Sequence, residues 1–416
     1  MQTVKGFKDL LPTEGLVWKE IEYHARYVFD NFGFKEILTP ILEFTELFKR
    51  SIGEVTDVVE KEMFTFEDRN GDSLSLRPEG TAGVVRAYLE QGLFKSAPKS
   101  KLFYIGPMFR RERPQKGRLR QFNQIGAEAF GNNSALIDAE VIAIQSILYN
   151  RLGIDKVNLL INSLGCKVCR PMYKQKLVEF LSTLPTNSLC VECARRRDTN
   201  PMRVLDCKNE QCKTSTAASP KVFDCLCPDC STHYKDLESF LKAFNVDFTL
   251  DKNIVRGLDY YTRTVFEFTS DALGAQRAIS AGGRYDNLVE QLGGSSTPGV
   301  GFAAGVERLA LLTTRPVKER APYYFVVPVG RAALNLVLPI VGYLRGVGIS
   351  VELGDEIRGL KGAMKQAGIS RAEYTVIVGE EEVTSEMISL KDMRSGEQTK
   401  IPVTTAITEL LKSFGR

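Results

Sequence analysis

The stretch Leu102-Phe-Tyr-Ile-Gly-Pro-Met-Phe-Arg110, Arg111-Glu-Arg-Pro-Gln-Lys-Gly-Arg-Leu-Arg120, Gln121-Phe-Asn-Gln-Ile-Gly-Ala-Glu-Ala-Phe130 decides the fold class. Two extended runs, Leu102 to Arg110 and Arg120 to Phe130, flank a short polar loop. That is a hairpin pattern, and it predicts an antiparallel sheet. The loop carries five arginines and one lysine against one glutamate, and Gln115-Lys116-Gly117 breaks the strand geometry at its tip. Forked guanidinium groups crowded on both shoulders of a turn suit phosphate oxygens or RNA; a solvated loop is the plain alternative. With a period of two, Phe122, Gln124, Gly126 and Glu128 share one face of the returning strand, where the glycine leaves room for a ligand. A carboxylate and an amide on an enclosed face need partners or a polar substrate, unless that face looks onto solvent.

Outward from the hairpin, residues 1–165 mix helices and strands. A helical stripe of Val17, Ile21, His24 and Val28 follows Pro12. Residues 166–250 hold every cysteine and read as an inserted module. Strand-like alternation returns over 251–318 and ends in Gly299-Val-Gly-Phe, followed by the helix-compatible Gly305-Val-Glu-Arg-Leu-Ala-Leu-Leu. Residues 319–416 alternate strand and helix (Tyr324 to Val329, Ala332 to Leu344, Ile349 to Leu353, Gly362 to Gln366, Tyr374 to Val378), which predicts a separate α/β domain with parallel strands. The class is therefore α+β, with a mainly antiparallel core.

Composition narrows the chemistry. The chain has 416 residues, 43% hydrophobic and 25% charged, with a net charge of +4, an ordinary globular balance for two or three domains. The longest nearly apolar run, from Arg331 to Arg345, includes Asn335 and is too short and polar to cross a bilayer. The charged N-terminus has no apolar segment of the kind a secretory signal needs, so a cytoplasmic location is expected. There are two histidines, His24 and His233, and His24 reads as a packed structural residue. Histidine general-base catalysis is therefore not expected, and no Gly-x-x-x-x-Gly-Lys-[Ser/Thr] loop is present.

All nine cysteines fall between Cys166 and Cys230. Without a secretory signal they read as metal ligands or free thiols before disulfides. Cys166-x2-Cys169, Cys190-x2-Cys193, Cys207-x4-Cys212 and Cys227-x2-Cys230 are zinc-type spacings. Eight thiolates would close two tetrahedral structural zinc sites, leaving Cys225 over; the pairing is open, and reduced metal-free thiols are the alternative. His233, three residues after Cys230, reads as structural, with a substitute metal ligand as the alternative. The basic run Arg195-Arg196-Arg197 could meet RNA or be a solvated face.

Two more segments place polar groups among glycines: Val255-Arg-Gly-Leu-Asp-Tyr-Tyr-Thr-Arg-Thr-Val-Phe-Glu267 and Ser280-Ala-Gly-Gly-Arg-Tyr-Asp286. Taken singly, each could be turn chemistry. Together the segments resemble a known family. Phe103-Tyr-Ile-Gly-Pro-Met-Phe-Arg110 with its loop is similar to motif 2 of class II aminoacyl-tRNA synthetases. Gly299-Val-Gly-Phe-Ala-Ala-Gly-Val-Glu-Arg308-Leu resembles motif 3, and Gly33-Phe-Lys-Glu-Ile-Leu-Thr-Pro40 the dimer-forming motif 1. Arg256-Gly-Leu-Asp-Tyr-Tyr261 and Ala281-Gly-Gly-Arg-Tyr-Asp286 resemble the two signatures of histidyl-tRNA synthetases, and Leu76-Arg-Pro-Glu-Gly-Thr81 also fits. Asn200-Pro-Met-Arg-Val-Leu-Asp206 looks like that family's insertion domain, although the resemblance does not supply the cysteines.

The resemblance implies a class II catalytic core split as 1–165 and 251–318, a Cys-rich insertion at 166–250, and an anticodon-binding domain at 319–416. It implies a homodimer that uses ATP with Mg2+, L-histidine and tRNA-His, and attaches the amino acid through a histidyl-adenylate. Arg110 and Arg256 would contact the α-phosphate, with Arg118 and Arg308 on the outer phosphates and adenine end. Glu79, Thr81 and Gln124 would hold the substrate's α-amino group, and Glu128 and Tyr261, with Tyr260 and Tyr285, the imidazole. Arg113 and Gln115 would approach the tRNA acceptor end; Arg358 and Lys361 are candidate anticodon contacts. A pocket that must hydrogen-bond its substrate rejects analogues lacking those groups by roughly 10⁴ or more, so no editing domain is required. A non-catalytic paralog regulating ATP phosphoribosyltransferase is the main rival, disfavoured by the presence of Arg110, Arg256, Arg308 and the tail. A zinc-dependent RNA-binding protein would explain the cysteines and arginines but not the imidazole-pocket residues.

Overall fold

Alternation along the two extended runs yields the expected hairpin: strands Lys101–Phe109 and Gln121–Phe130 pair antiparallel with Tyr104 opposite Gly126 and Leu102 opposite Glu128. The computed structural model describes residues 1–416 except 54, 55, 57, 186, 208, 255–259, 275, 276, 317–320, 355–358 and 416. The chain divides into two compact units, residues 1–317 and 318–416.

In the first unit the hairpin belongs to an eight-stranded sheet. Its order is Lys35–Glu36, Lys101–Phe109, Gln121–Phe130, Gly299–Gly305, Ala278–Arg284, Thr262–Thr269, Asn158–Ser163 and Thr249–Leu250. Only the two outermost pairings are parallel. The period of two sorts the hairpin side chains cleanly. Phe103, Ile125, Ala127 and Ala129 join a core with Phe29, Ile142 and Leu241, from helices Pro12–Asn31, Ala135–Arg151 and Pro228–Ala243. Tyr104 and Phe130 belong instead to a second cluster with Tyr260, Tyr261 and Tyr285, on the side where Gln124 and Glu128 stand.

Helix Ala135–Arg151 starts at Ser134, whose Oγ accepts from the Leu136 amide at 3.2 Å. It brings Asp138 into the interior, where both carboxylate oxygens bond Arg284 and Oδ2 also meets His233 Nε2 at 2.8 Å and the Thr264 hydroxyl at 2.6 Å. Asp138 and Arg284 are both fully buried. Burial alone would raise the Asp138 carboxyl, but the Arg284 charge and the His233 hydrogen bond hold it below its usual range. His233 is thus structural. His24 is also buried, and its Nδ1 accepts from Arg151 Nε at 3.3 Å.

Between strands Asn158–Ser163 and Thr249–Leu250 the cysteine region is helical, with helices Cys169–Ser182, Val191–Thr199 and Glu210–Thr216 ahead of Pro228–Ala243. That last helix buries Tyr234, Leu237 and Leu241 in the main core. The second unit is a five-stranded sheet ordered Val351–Leu353, Tyr324–Pro328, Tyr374–Val378, Met387–Asp392, Gln398–Pro402. Its first three strands are parallel, as the βαβαβ pattern predicts, and helices Arg331–Gly346 and Leu360–Ser370 connect them. The closing antiparallel hairpin, Met387–Asp392 with Gln398–Pro402, is an addition to that pattern.

Candidate active site and cysteine centres

Strand Ser73–Leu76 runs into the turn Arg77-Pro-Glu-Gly-Thr81, which opens helix Thr81–Glu90. Glu79 caps that helix, its carboxylate accepting from the Thr81 amide at 2.7 Å and the Ala82 amide at 2.8 Å. Thr81 turns its hydroxyl the other way and donates to Glu128 Oε1 at 2.6 Å, while Tyr285 donates its hydroxyl to Glu128 Oε2. Glu128 is fully buried, and this burial, with Glu79 nearby, pushes its carboxyl up to about 8 against the pull of the two hydrogen bonds. Glu79 is likewise raised, mainly by burial, though its backbone hydrogen bonds and the Arg110 charge oppose the shift.

Around this pair the walls are aromatic. The Tyr260 and Tyr261 rings lie 4.7 Å apart and Tyr260 meets Tyr285 edge-on at 5.8 Å. Burial and the neighbouring carboxylates hold the phenols of Tyr260 and Tyr285 well above their usual range, so both remain hydrogen-bond donors. Space comes from missing side chains: a Cβ at Gly126 or Gly80 would overlap the Tyr104 ring, and one at Gly301 the Glu128 carboxylate. Two buried polar atoms here have no hydrogen-bond partner among the described residues, Gln124 Oε1 and the Tyr104 hydroxyl. Since buried polar groups are nearly always paired, they mark where a polar ligand completes the site.

Beside the pocket the arginines converge. Arg110 is fixed by its Nε donating to the Pro78 carbonyl at 2.8 Å, with its guanidinium 5.5 Å over the Phe122 ring. Arg118 pairs with Glu112, whose carboxylate is also 4.0 Å from Arg110. Arg308, from helix Val306–Leu312, donates to the Ala278 carbonyl at 2.5 Å and the Gly117 carbonyl at 3.4 Å. Burial, then the charges of Arg118 and Arg110, pull the Arg308 guanidinium below its ordinary range; Arg118 is lowered by burial and by Arg110. Cations held close enough to disfavour each other form a ready anion site.

Sequence reasoning named Glu79, Thr81, Gln124, Glu128, Tyr260, Tyr261 and Tyr285, and the structure brings these together; Arg110, Arg118 and Arg308 form the adjoining cluster. Arg256 and Arg358 lie outside the described residues. Arg113 and Gln115 are exposed near the hairpin tip, where Gln115 and Arg118 exchange backbone hydrogen bonds at 2.9 Å across Lys116-Gly117. Lys361 is exposed in the first turn of helix Leu360–Ser370. Arg195, Arg196 and Arg197 each face a carboxylate, Glu60, Glu192 and Asp198 respectively. Tyr104 and Arg77 escaped the sequence reading. The cross-strand signal for Tyr104 was Gly126 opposite it, while Arg77 anchors the turn through bonds to the Pro107 carbonyl at 2.8 Å and to Thr39 at 2.9 Å.

The cysteines gather into two groups of four, Cys166, Cys169, Cys227 and Cys230, and Cys190, Cys193, Cys207 and Cys212, with all sulfurs in a group within 4.8 Å of one another. Cys166 lies 3.8 Å from Cys169 and 3.9 Å from Cys227, and Cys190 is 3.9 Å from Cys207. Backbone amides of Cys227 and Cys190 point at Cys169 and Cys212, each at 3.1 Å. Cys225 stays outside both groups, buried, with Lys176 Nζ at 3.8 Å.

Comparison with known proteins agrees with this geometry. A sequence model of histidyl-tRNA synthetases matches residues 6–309, and one of an anticodon binding domain matches 324–413. Histidine–tRNA ligases of Desulfosudis oleivorans and Halothermothrix orenii are 49% and 46% identical. The former alignment covers 97% of this chain and 96% of the relative, the latter 98% of both. The apo histidyl-tRNA synthetase of S. aureus superposes with a TM-score of 0.83 at 34% identity, covering 98% of this chain and 99% of that one. With its hairpin, tyrosine-walled carboxylate pocket and arginine cluster in place, the chain belongs to the histidyl-tRNA synthetase family.

Proposed function

We propose that the chain attaches L-histidine to tRNA-His in two steps on this sheet face, dividing the work among the residues above. In the first step the histidine carboxylate attacks the α-phosphorus of ATP, forming a carboxyl–phosphate anhydride and expelling pyrophosphate. A terminal ribose hydroxyl of the tRNA then attacks the activated carbonyl, and AMP leaves. The attacking carboxylate is already ionised at neutral pH, so the first step needs alignment and cations at phosphorus instead of a general base. Arg110 and Arg256 serve the α-phosphate, and Arg118 and Arg308 the outer phosphates and the adenine end. Glu267, whose charge reaches Arg308, is an oxygen donor of the kind that would hold Mg2+ bound with ATP, and the ion would neutralise phosphate charge there.

Glu79, Thr81 and Gln124 hold the α-amino group, with the unpaired Gln124 Oε1 accepting from it. Glu128 accepts from one imidazole nitrogen while Tyr261 donates to the other, and Tyr260 and Tyr285 close the walls. The observation that carries the reading is a fully buried carboxylate in a tyrosine pocket next to a cluster of three arginines, Arg110, Arg118 and Arg308, of which Arg118 and Arg308 are held below their ordinary range. Arg113 and Gln115, exposed near the loop tip, meet the acceptor end, and residues 319–416 bind the anticodon with Lys361 among the contacts. Residues 166–250 form an insertion between core segments 1–165 and 251–318.

The two cysteine groups fit structural zinc. A Zn–S bond of about 2.3 Å in a tetrahedron separates sulfurs by about 3.8 Å, and the distances of 3.8 and 3.9 Å match it. Zinc would hold these turns together without entering the chemistry. Leu38 and Phe44, 82% and 60% exposed near the motif 1 stretch, are apolar surface suited to a second copy in a homodimer. No described helix is long and apolar enough to cross a membrane, and thiolate centres fit a reducing cytoplasm. The test is ATP-dependent attachment of labelled histidine to tRNA-His. A regulatory paralog would leave the tRNA uncharged.

A further inference from the structure

The two cysteine centres are wired to the rest of the molecule in different ways. Cys166 lies three residues beyond the end of strand Asn158–Ser163, and Leu164 and Gly165 between them grip the start of strand Thr262–Thr269. The Leu164 amide donates to the Arg263 carbonyl at 2.7 Å and the Arg263 amide to the Gly165 carbonyl at 2.8 Å. Arg263 sits at φ +47°, a left-handed conformation costly for a residue with a side chain, so the surroundings must enforce it. This kink is the second residue of that strand, at an irregularity in its pairing, and it follows Tyr260 and Tyr261, which line the histidine pocket.

Arg170 adds a direct link. It lies in the first turn of helix Cys169–Ser182, one residue after Cys169, and its guanidinium donates to the Tyr261 carbonyl and to the Leu164 carbonyl at 3.5 Å. Its own amide donates to the Cys166 carbonyl at 3.1 Å, so the Cys166–Cys169 turn aims it. Gly165 is at φ +63°, where a Cβ would lie 2.7 Å from the Cys169 Cβ; the turn has no slack. The second centre contacts the core differently. Helix Val191–Thr199 meets the segment Val58–Glu62 through exposed pairs, Lys61 with Glu192 at 2.9 Å and Arg195 with Glu60 at 3.5 Å, and Cys193 and Cys212 pack in the apolar cluster that also holds Tyr261.

We propose that the centre of Cys166, Cys169, Cys227 and Cys230 is a metal-dependent brace of the histidine pocket, with Arg170 as a positioning residue that sets Tyr261. The proposal rests on the zinc reading above for its metal dependence, while the Arg170 link stands on geometry alone. With metal bound, the Cys166–Cys169 turn is fixed to Cys227 and Cys230 at the start of helix Pro228–Ala243, itself packed in the main core. Without it, Arg170 loses its aim and the Arg263 kink its clamp, and the Tyr261 hydroxyl drifts from the imidazole. Outer groups that orient a site commonly matter by 10–100-fold.

The experiment compares Arg170→Met, Arg170→Lys and, as a control on the exposed face of the same helix, Lys174→Met. Each is assayed by histidine-dependent pyrophosphate exchange, with zinc per chain measured by elemental analysis. Arg170→Met should raise KM for histidine about tenfold or more, leave KM for ATP within about twofold and retain its zinc, with Arg170→Lys recovering part of the loss. Chelating zinc from the parent protein should weaken histidine binding to a similar degree, reversibly on adding zinc alone. In Arg170→Met, chelation should add less than it does in the parent protein, because the arginine is one of the two links the brace holds. Unchanged KM for histidine in Arg170→Met, or equal losses for histidine and ATP, would overturn the link. Parent protein free of zinc would overturn the metal dependence and the zinc reading together, whatever Arg170 does.

Discussion

Replacing Glu128 by glutamine changes one oxygen for an amide in a site where both carboxylate oxygens are occupied, by Thr81 and by Tyr285. Burial holds this carboxyl up at about 8, so near neutral pH it is mostly protonated. Accepting a hydrogen bond from a neutral imidazole requires the anion, and at pH 7 that deprotonation costs about 1.4 kcal/mol. The charge-assisted hydrogen bond then gained is worth roughly 1.5–3 kcal/mol. Histidine binding should therefore release a proton, and deprotonation of Glu128 should raise affinity nearly tenfold between about pH 6.5 and 7.5, a range over which deprotonation of free imidazole adds only about twofold. In Glu128→Gln the affinity should fall about 10–100-fold at pH 8 and its pH dependence flatten, while ATP binding stays within about twofold. Calorimetry in buffers of different ionisation enthalpy reads both the affinity and the proton. Parallel pH profiles for the two proteins, or equal losses of histidine and ATP, would refute the assignment, since the pH dependence would then not come from Glu128.

Three further outcomes follow from other parts of the molecule. Arg256→Lys should cut adenylate formation at least tenfold with little change in histidine affinity, because lysine lacks the planar fork; rapid-quench formation of the adenylate measures it. Elemental analysis of protein purified without chelators should find close to two zinc atoms per chain, and Cys190→Ser with Cys193→Ser should lose one and lower tRNA charging more than pyrophosphate exchange. Asp138→Leu should cost up to about 3–5 kcal/mol in urea unfolding by leaving a fully buried Arg284 with only Asp286 and the Asn132 and Ser134 carbonyls as partners; adding Arg284→Met should restore much of it. The Asp138 carboxyl is depressed in the folded state, so its contribution is present above the ordinary carboxylate range and disappears as pH falls through its lowered value.

Much of this site was legible because period two in a strand is a strict rule. Once Leu102 to Arg110 and Arg120 to Phe130 read as a hairpin, Gln124, Gly126 and Glu128 had to share a face, and they do. Cysteine spacing announced eight ligands in pairs, but which pair meets which depends on how helices Cys169–Ser182 and Pro228–Ala243 pack, and local spacing carries no record of that. Tyr104 was hidden for the same reason: it alternates like any core strand residue, and its role follows from Gly126 across the ladder and Gly80 on a distant turn. The closing hairpin of the second unit was missed because Met387–Asp392 and Gln398–Pro402 carry lysine, serine and glutamine among few β-branched residues. Its turn is secured by Asp392 accepting from the Arg394 and Ser395 amides at 2.7 and 2.9 Å.

The central claim is that one enclosed pocket reads imidazole and hands a carboxylate to the neighbouring arginine cluster. Amino-acid-dependent exchange of labelled pyrophosphate into ATP, run on the full chain with each standard amino acid in turn and no tRNA, tests it most directly. The account predicts brisk exchange with histidine and, for amino acids lacking a ring able to donate to Glu128 and accept from Tyr261, rates lower by roughly 10⁴. Absence of exchange with histidine, or comparable exchange with glutamine or phenylalanine, would contradict it.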